Sequence, residues 1–180
     1  MMLEIFDVSH GACALLTCDN GSRLMLDCAS NPETGWAPGS HLGRLGVSRL
    51  EMLAITNYDE DHVRGLPNLL ANVDVAWLSR NPSVTPDILR QLKSEDGMGH
   101  GIDTLREMAQ GFGPSADPLP QFPDVERNSF YNEYPAFDDE NNLSLVVHLK
   151  IRGVGFLFPG DLERAGWEHR RPPGEFILRR

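Results

Sequence analysis

An apolar run, Leu53-Ala54-Ile55, stops at Thr56-Asn57-Tyr58-Asp59-Glu60-Asp61-His62, which sets three carboxylates and an imidazole in four consecutive residues. Residues 63–71 read as helix, so the polar cluster falls at the carboxyl end of a strand, where open α/β architectures build their sites. Carboxylate oxygen and imidazole nitrogen are the donors that hard-to-borderline divalent cations prefer. The plainer reading is a solvated acidic turn that opens a helix, with Asp59 or Asp61 at the N-cap. On the residues alone, both readings stand.

The bulk properties narrow the class. A chain of 180 residues with 41% hydrophobic content supports one well-formed domain, taken here as residues 1–180. A net charge of -10 argues against a sequence-independent nucleic-acid clamp, which wants a basic surface, unless bound cations cancel charge at the site. Three Cys, at 13, 18 and 28, read as reduced, buried side chains in a cytoplasmic setting and not as a disulfide framework. No basic n-region precedes an apolar h-region, and no run reaches the length of a membrane span. A soluble protein with no membrane partner is expected.

The first part is strand-rich. Met2 to Val8, Ala12 to Cys18 and Arg23 to Cys28 are β-prone, with Asp19-Asn20-Gly21 as a hairpin turn. After a Pro/Gly loop over 31–40 come a helix-like stretch around His41 to Leu45, a strand over Leu50 to Thr56, a helix over Val63 to Ala71 and a strand over Val75 to Ser79. Thr85-Pro86-Asp87 reads as a helix start leading into Ile88 to Lys93. Ile102, Leu105, Met108, Ala109 and Phe112 recur at helical spacing. From Gly113 to Asn142, five prolines and the run Asp138-Asp139-Glu140 predict a long irregular segment, mobile or functional. Its aromatics, Tyr131, Tyr134 and Phe137, either form a lid or, the plainer expectation, pin the loop to the surface. Leu143 to Ile151 alternates apolar and polar. It pairs through Arg152-Gly153 with Val154 to Phe158, which runs straight into Pro159-Gly160-Asp161. An acidic side chain again stands where a buried strand ends, and two such ends strengthen the metal reading.

The order of three strands, the block Thr56 to His62, then Asn141-Asn142-Leu143-Ser144-Leu145, then Phe158-Pro159-Gly160-Asp161-Leu162-Glu163, resembles the metallo-β-lactamase superfamily. More narrowly it is similar to the metallohydrolase domain of ComEC/Rec2-type competence proteins. Phe6-Asp7-Val8-Ser9-His10-Gly11-Ala12 stands for that branch's opening Phe-Asp-Val-Gly-Gln-Gly-Asp-like segment. Leu24-Met25-Leu26-Asp27-Cys28-Ala29 stands for its Leu-Ile-Asp-x-Gly strand end, and Thr56 to Leu66 for its Thr-His-x-Asp-x-Asp-His-x-x-Gly-Leu block. The resemblance implies an α+β fold, a four-layer αβ/βα sandwich with the site at one edge of two sheets. It also implies that the last part of that fold is missing after Asp161, so a fragment, or completion by a partner chain or oligomer, is expected.

By the same resemblance Asp59, Asp61, His62 and Asp161 are metal ligands, with Asp161 bridging and Asp61 also orienting the nucleophilic water. Asn57 stands where a first His is expected, and an amide is a poor zinc ligand, so that position is degraded. Asn142 and Ser144 match an Asn-x-Ser feature of the competence branch; the family's later His-containing motif has no counterpart. One or two ions, Zn²⁺ or Mn²⁺ with Mg²⁺ also in play, are implied, with metal-assisted hydrolysis of a phosphodiester, single-stranded DNA or a small analogue. The alternative is a degenerate member that binds or regulates without turnover. His10 is a replacement ligand or an ordinary turn residue. Asp27 is expected to support the site loops by hydrogen bonding. Cys28 reads as structural, His148 as solvent-exposed, and Glu163 has no assigned role.

Overall fold

The computed structural model describes residues 1–94, 97–112 and 119–169. In chain order they form β1 (Met2–Ile5), β2 (Ala14–Thr17), β3 (Arg23–Leu26), α1 (Pro38–Arg44), β4 (Arg49–Leu50), β5 (Met52–Ala54), α2 (Glu60–Val63), α3 (Leu66–Leu70), β6 (Asp74–Val75), β7 (Leu78–Ser79), α4 (Pro86–Leu92), α5 (His100–Gly111), β8 (Val125–Tyr131), β9 (Leu145–Ile151), β10 (Val154–Phe158) and α6 (Arg164–His169). The fold is mixed α+β. Its larger sheet has the order β1-β2-β3-β5-β7, the second β10-β9-β8, and β4 and β6 form a small parallel pair.

Strand periodicity decides how these layers stack. Side chains alternate across a strand, so β2, β3 and β5, apolar at nearly every position, must be covered on both faces. Leu15, Met25 and Leu53 pack with Leu42, Leu66, Leu69, Ile102 and Leu105 from the helices. Their neighbours Leu16, Leu24, Leu26, Met52 and Ala54 pack with Leu145, Val147 and Leu149 of the second sheet. The larger sheet is therefore a middle layer between helices and a second sheet. Each fully buried Leu contributes roughly 1.5–3 kcal/mol, which makes this double burial the main support of the fold.

Several expected elements differ, each for a visible reason. The strand expected over Leu50 to Thr56 breaks at Glu51, because β4 pairs with β6 while β5 pairs with β3 and β7. Val75 to Ser79 breaks likewise: the Ala76 N–H donates to Leu50 and the Trp77 carbonyl accepts from Leu53. The helix expected from Val63 to Ala71 is interrupted at Gly65, whose N–H donates to the Cys28 carbonyl at 2.9 Å instead of continuing the helical ladder. Pro67 then opens α3, where its missing N–H goes unneeded. The first strand ends at Ile5.

The largest departure is β8, seven residues inside a segment expected to be irregular; it pairs with β9 from Val125↔Ile151 to Tyr131↔Leu145. Tyr131 thus belongs to a strand, and Tyr134 and Phe137 lie against the helix-side core. No lid forms from these aromatics. The hairpin β9–β10 turns at Arg152 (φ 49) and Gly153 (φ 87), the paired left-handed conformation that tight hairpins need. His148 is half-buried, not exposed, because β10 passes beside it and its imidazole lies against Gly155, where an added Cβ would stand 3.1 Å from Nε2. Cys13, Cys18 and Cys28 are free and buried. No helix among the described residues is long and apolar enough to cross a membrane. Residues 113–118 of the expected loop and the run Phe176-Ile177-Leu178 lie outside the described residues.

Candidate functional site

Three strand ends meet at one edge. Residue 27 follows β3, Thr56 follows β5 and Asp161 follows β10, and the two sheets are tied there by the Leu145 N–H donating to the Thr56 carbonyl at 2.8 Å. Asp27 turns the chain with φ 54, a left-handed conformation that Asp tolerates better than most residues. Its carboxylate fixes the geometry in return. Oδ1 accepts the Thr56 N–H at 2.7 Å, and Oδ2 accepts the Thr56 hydroxyl at 2.5 Å and faces His62 Nδ1 at 3.1 Å. A carboxylate only accepts, so Nδ1 carries the proton in this contact.

His62 is therefore held by one nitrogen and presents the other. Its Nε2 stands 3.3 Å from Asp161 Oδ1; the imidazole side chain is 4% exposed and the carboxylate 44%. Burial by itself lowers the imidazole pKa. The hydrogen bond and charge of Asp27, then the charges of Asp161 and Asp61, outweigh it and raise the value to about 9. Asp161 is seated by its N–H, which donates to Ser144 Oγ at 3.2 Å. Gly160 (φ 57) makes this possible, since a side chain there would meet the Thr56 carbonyl and Ser144 within 3 Å.

The three carboxylates of residues 59–61 divide into three separate tasks. Asp59 is the residue before α2, yet its side chain makes no cap bond; it is ion-paired to Lys93 Nζ. Glu60 reaches across to α5 and accepts the Gly101 and Ile102 N–H groups at 2.9 and 3.1 Å, neutralising the start of that helix. Asp61 Oδ2 faces His10 Nε2 at 3.5 Å, with the His10 side chain 90% exposed. The His10 loop is held by Arg64, which donates to the carbonyls of Ser30 at 2.7 Å, Val8 at 2.9 Å and His10.

Lys93 is the residue that reasoning from sequence missed. Its side chain is 6% exposed, and besides Asp59 its ammonium contacts Glu140 Oε1 at 2.6 Å. Burial alone lowers a lysine pKa, but the hydrogen bonds to Asp59 and Glu140 more than offset it and hold the group above its usual value. Lys93 follows α4 with no spacing relation to the acidic cluster, and Glu140 sat in an acidic run legible only as loop composition. Neither carries a local signal.

Asn57, fully buried, is also committed within the protein: Nδ2 donates to Asn141 Oδ1 at 3.1 Å, and Oδ1 accepts the Tyr58 N–H. Asn142 staples the loop to α6, its Oδ1 accepting the Gly166 N–H at 2.8 Å and its Nδ2 donating to Asp139. Glu163 accepts from Asn141 at 3.2 Å. Buried Asn81 donates to the carbonyls of Asn132 and Leu143 at 2.8 and 2.9 Å, and its own carbonyl accepts the Tyr58 hydroxyl at 3.1 Å. These buried amides set the loops around the edge rather than facing it.

Among the described residues no group of three or more His, Cys, Asp or Glu side chains is arranged to hold an ion. In donor chemistry the two halves of the edge differ. His62 Nε2 and Asp161 Oδ1 set a nitrogen and an oxygen donor 3.3 Å apart. On the Asp59 half an ammonium sits on the carboxylate. No protein-family model and no curated protein matches the chain.

Proposed function

We propose that this protein is a metal-dependent hydrolase with the four-layer sandwich of the metallo-β-lactamase superfamily, acting on phosphodiester bonds through one divalent ion, Zn²⁺ or Mn²⁺, at His62, Asp61 and Asp161. The observation that carries the reading is the convergence of His62 Nε2 and Asp161 Oδ1 to 3.3 Å while Asp27 anchors Nδ1. A histidine whose second nitrogen is fixed by a carboxylate has its tautomer and ring orientation set, the usual support for a metal-binding imidazole. Two facing sheets with helices outside the larger, and a site at the strand ends, are consistent with that sandwich.

An ion at this edge would supply Lewis-acid activation of water and stabilise charge on the attacked group. The residues do the rest. Asp161 closes the site from the second sheet. Asp61, released from His10, orients the attacking water and accepts its proton. His10, on the exposed rim, is placed to meet substrate rather than to complete the ligand set. The acidic chain suits a single-stranded or small phosphodiester held at the site better than duplex bound along a surface. Three unpaired thiols fit a reducing, cytoplasmic setting.

The seating of Lys93 on Asp59 and the commitment of Asn57 favour a second reading, a degenerate member that binds without turnover. One experiment decides. Purified protein is loaded with Zn²⁺ or Mn²⁺, analysed for bound metal, and assayed on a chromogenic phosphodiester and on single-stranded DNA. Bound ion and turnover, both lost in His62→Ala and Asp161→Ala, support the hydrolase. Bound ion without turnover leaves the binding reading. Metal-free wild type sinks the metal-dependent hydrolase.

A further inference from the structure

We infer that the Asp59 half of the edge takes no metal at all, because the protein supplies its own cation there in the ammonium of Lys93. This deepens the reading above and rests on it in one respect, that the divalent ion enters at His62. Asp59 and Glu140 come from different segments, before α2 and before β9, and face the same point. Two carboxylates brought together with only part of their surface in water repel, and a cation between them relieves that repulsion. Lys93 fills that point with its side chain almost wholly enclosed.

The tether explains why the lysine wins. The Lys93 N–H donates to the Leu89 carbonyl at 3.1 Å as α4 closes, so the stem leaves a fixed backbone position. An ammonium delivered within the same molecule competes at a high effective concentration set by its tether. It also needs no imidazole. Three N–H donors satisfy two carboxylates, whereas a zinc ion would want nitrogen donors, and the residue at 57 is an amide already bonded elsewhere. An amide at 57 that is bonded elsewhere and a lysine at 93 that reaches Asp59 are thus two sides of one arrangement.

The test counts ions by equilibrium dialysis against Mn²⁺ and against Zn²⁺, followed by elemental analysis. Wild type is expected to hold no more than one ion per chain. Asp59→Asn should leave that count unchanged, while Asp161→Ala removes the ion. Lys93→Met keeps the apolar stem and deletes only the charge; it should hold one Mn²⁺ more than wild type, because carboxylate oxygens suffice for that ion, and adding Asp59→Asn should abolish the gain. Two ions in wild type, a lower count in Asp59→Asn, or no Mn²⁺ gain in Lys93→Met would each overturn the inference. So would a Lys93→Met protein that stays unfolded at every ion concentration, since a replacement cation should restore it. Wild type without metal but a gain in Lys93→Met would sink the proposed activity and leave this inference standing.

Discussion

Asp27 grips His62 from behind: its Oδ2 lies 3.1 Å from Nδ1, and the same carboxylate takes both hydrogen-bond donors of Thr56. Removing it would strand three buried polar groups. Asp27→Ala is expected to destabilise the fold by about 3–5 kcal/mol, the range for breaking a buried charge pair from one side. Asp27→Asn, which keeps an acceptor, should lose less. Urea denaturation of the variants checks both, and an Asp27→Ala protein as stable as wild type would contradict the described hydrogen bonding.

The pH dependence follows from the same contact. In metal-free protein the folded His62 pKa is raised to about 9, above the ordinary histidine value of 6.5. The stabilisation from this group is therefore complete below about pH 6.5 and fades as pH rises through 9, by up to ~3 kcal/mol in all. Denaturation midpoints measured with chelator between neutral and alkaline pH should fall for wild type and stay flatter for His62→Gln. Equal slopes would count against it.

Gly11 has φ +107, and a Cβ there would stand 1.9 Å from the Asp61 carbonyl oxygen. Both backbone strain and a backbone clash oppose any side chain, so the loop carrying His10 lies on α2 only because residue 11 has none. Gly11→Ala is expected to lower stability by more than about 1 kcal/mol. Gly21→Ala gives the comparison, for there φ is +84 with nothing near. Thermal melts should show the Gly11 variant losing more.

Glu60 acts on α5 from a distance in sequence. Glu60→Ala leaves the Gly101 and Ile102 N–H groups without their acceptor, and a loss of roughly 0.5–2 kcal/mol is expected, as for a deleted helix cap. Hydrogen exchange gives the specific readout. Amides of the first turn of α5 should exchange faster while those of β9 do not.

Much of the fold was legible where one local rule acts alone. The β9–β10 hairpin reads from its alternation and its Arg152-Gly153 turn, and α4 reads from Thr85 and Pro86, with the Thr85 hydroxyl accepting the Ile88 N–H at 3.3 Å. Legibility fails where tertiary pairing overrides local pattern. Residues 50–56 read as one strand, yet the ladder changes partners inside it. β8, with Glu126, Arg127, Asn128 and Ser129, has little strand signal and is held in place by β9. At the site, His62 and Asp161 stood out as strand-end residues. Lys93 did not, because only the folded chain brings α4 to Asp59.

The Thr56–Leu145 hydrogen bond has a kinetic consequence. It joins stretches separated by about half the chain, and closing so long a loop is slow because its entropy must be surrendered before any contact compensates. During refolding, the imidazole and its rear carboxylate can assemble early within the first half, whereas the opposing carboxylate arrives only when the late hairpin docks. Competence at this edge should accordingly lag behind helix formation, making it a sensitive clock for the last step of maturation.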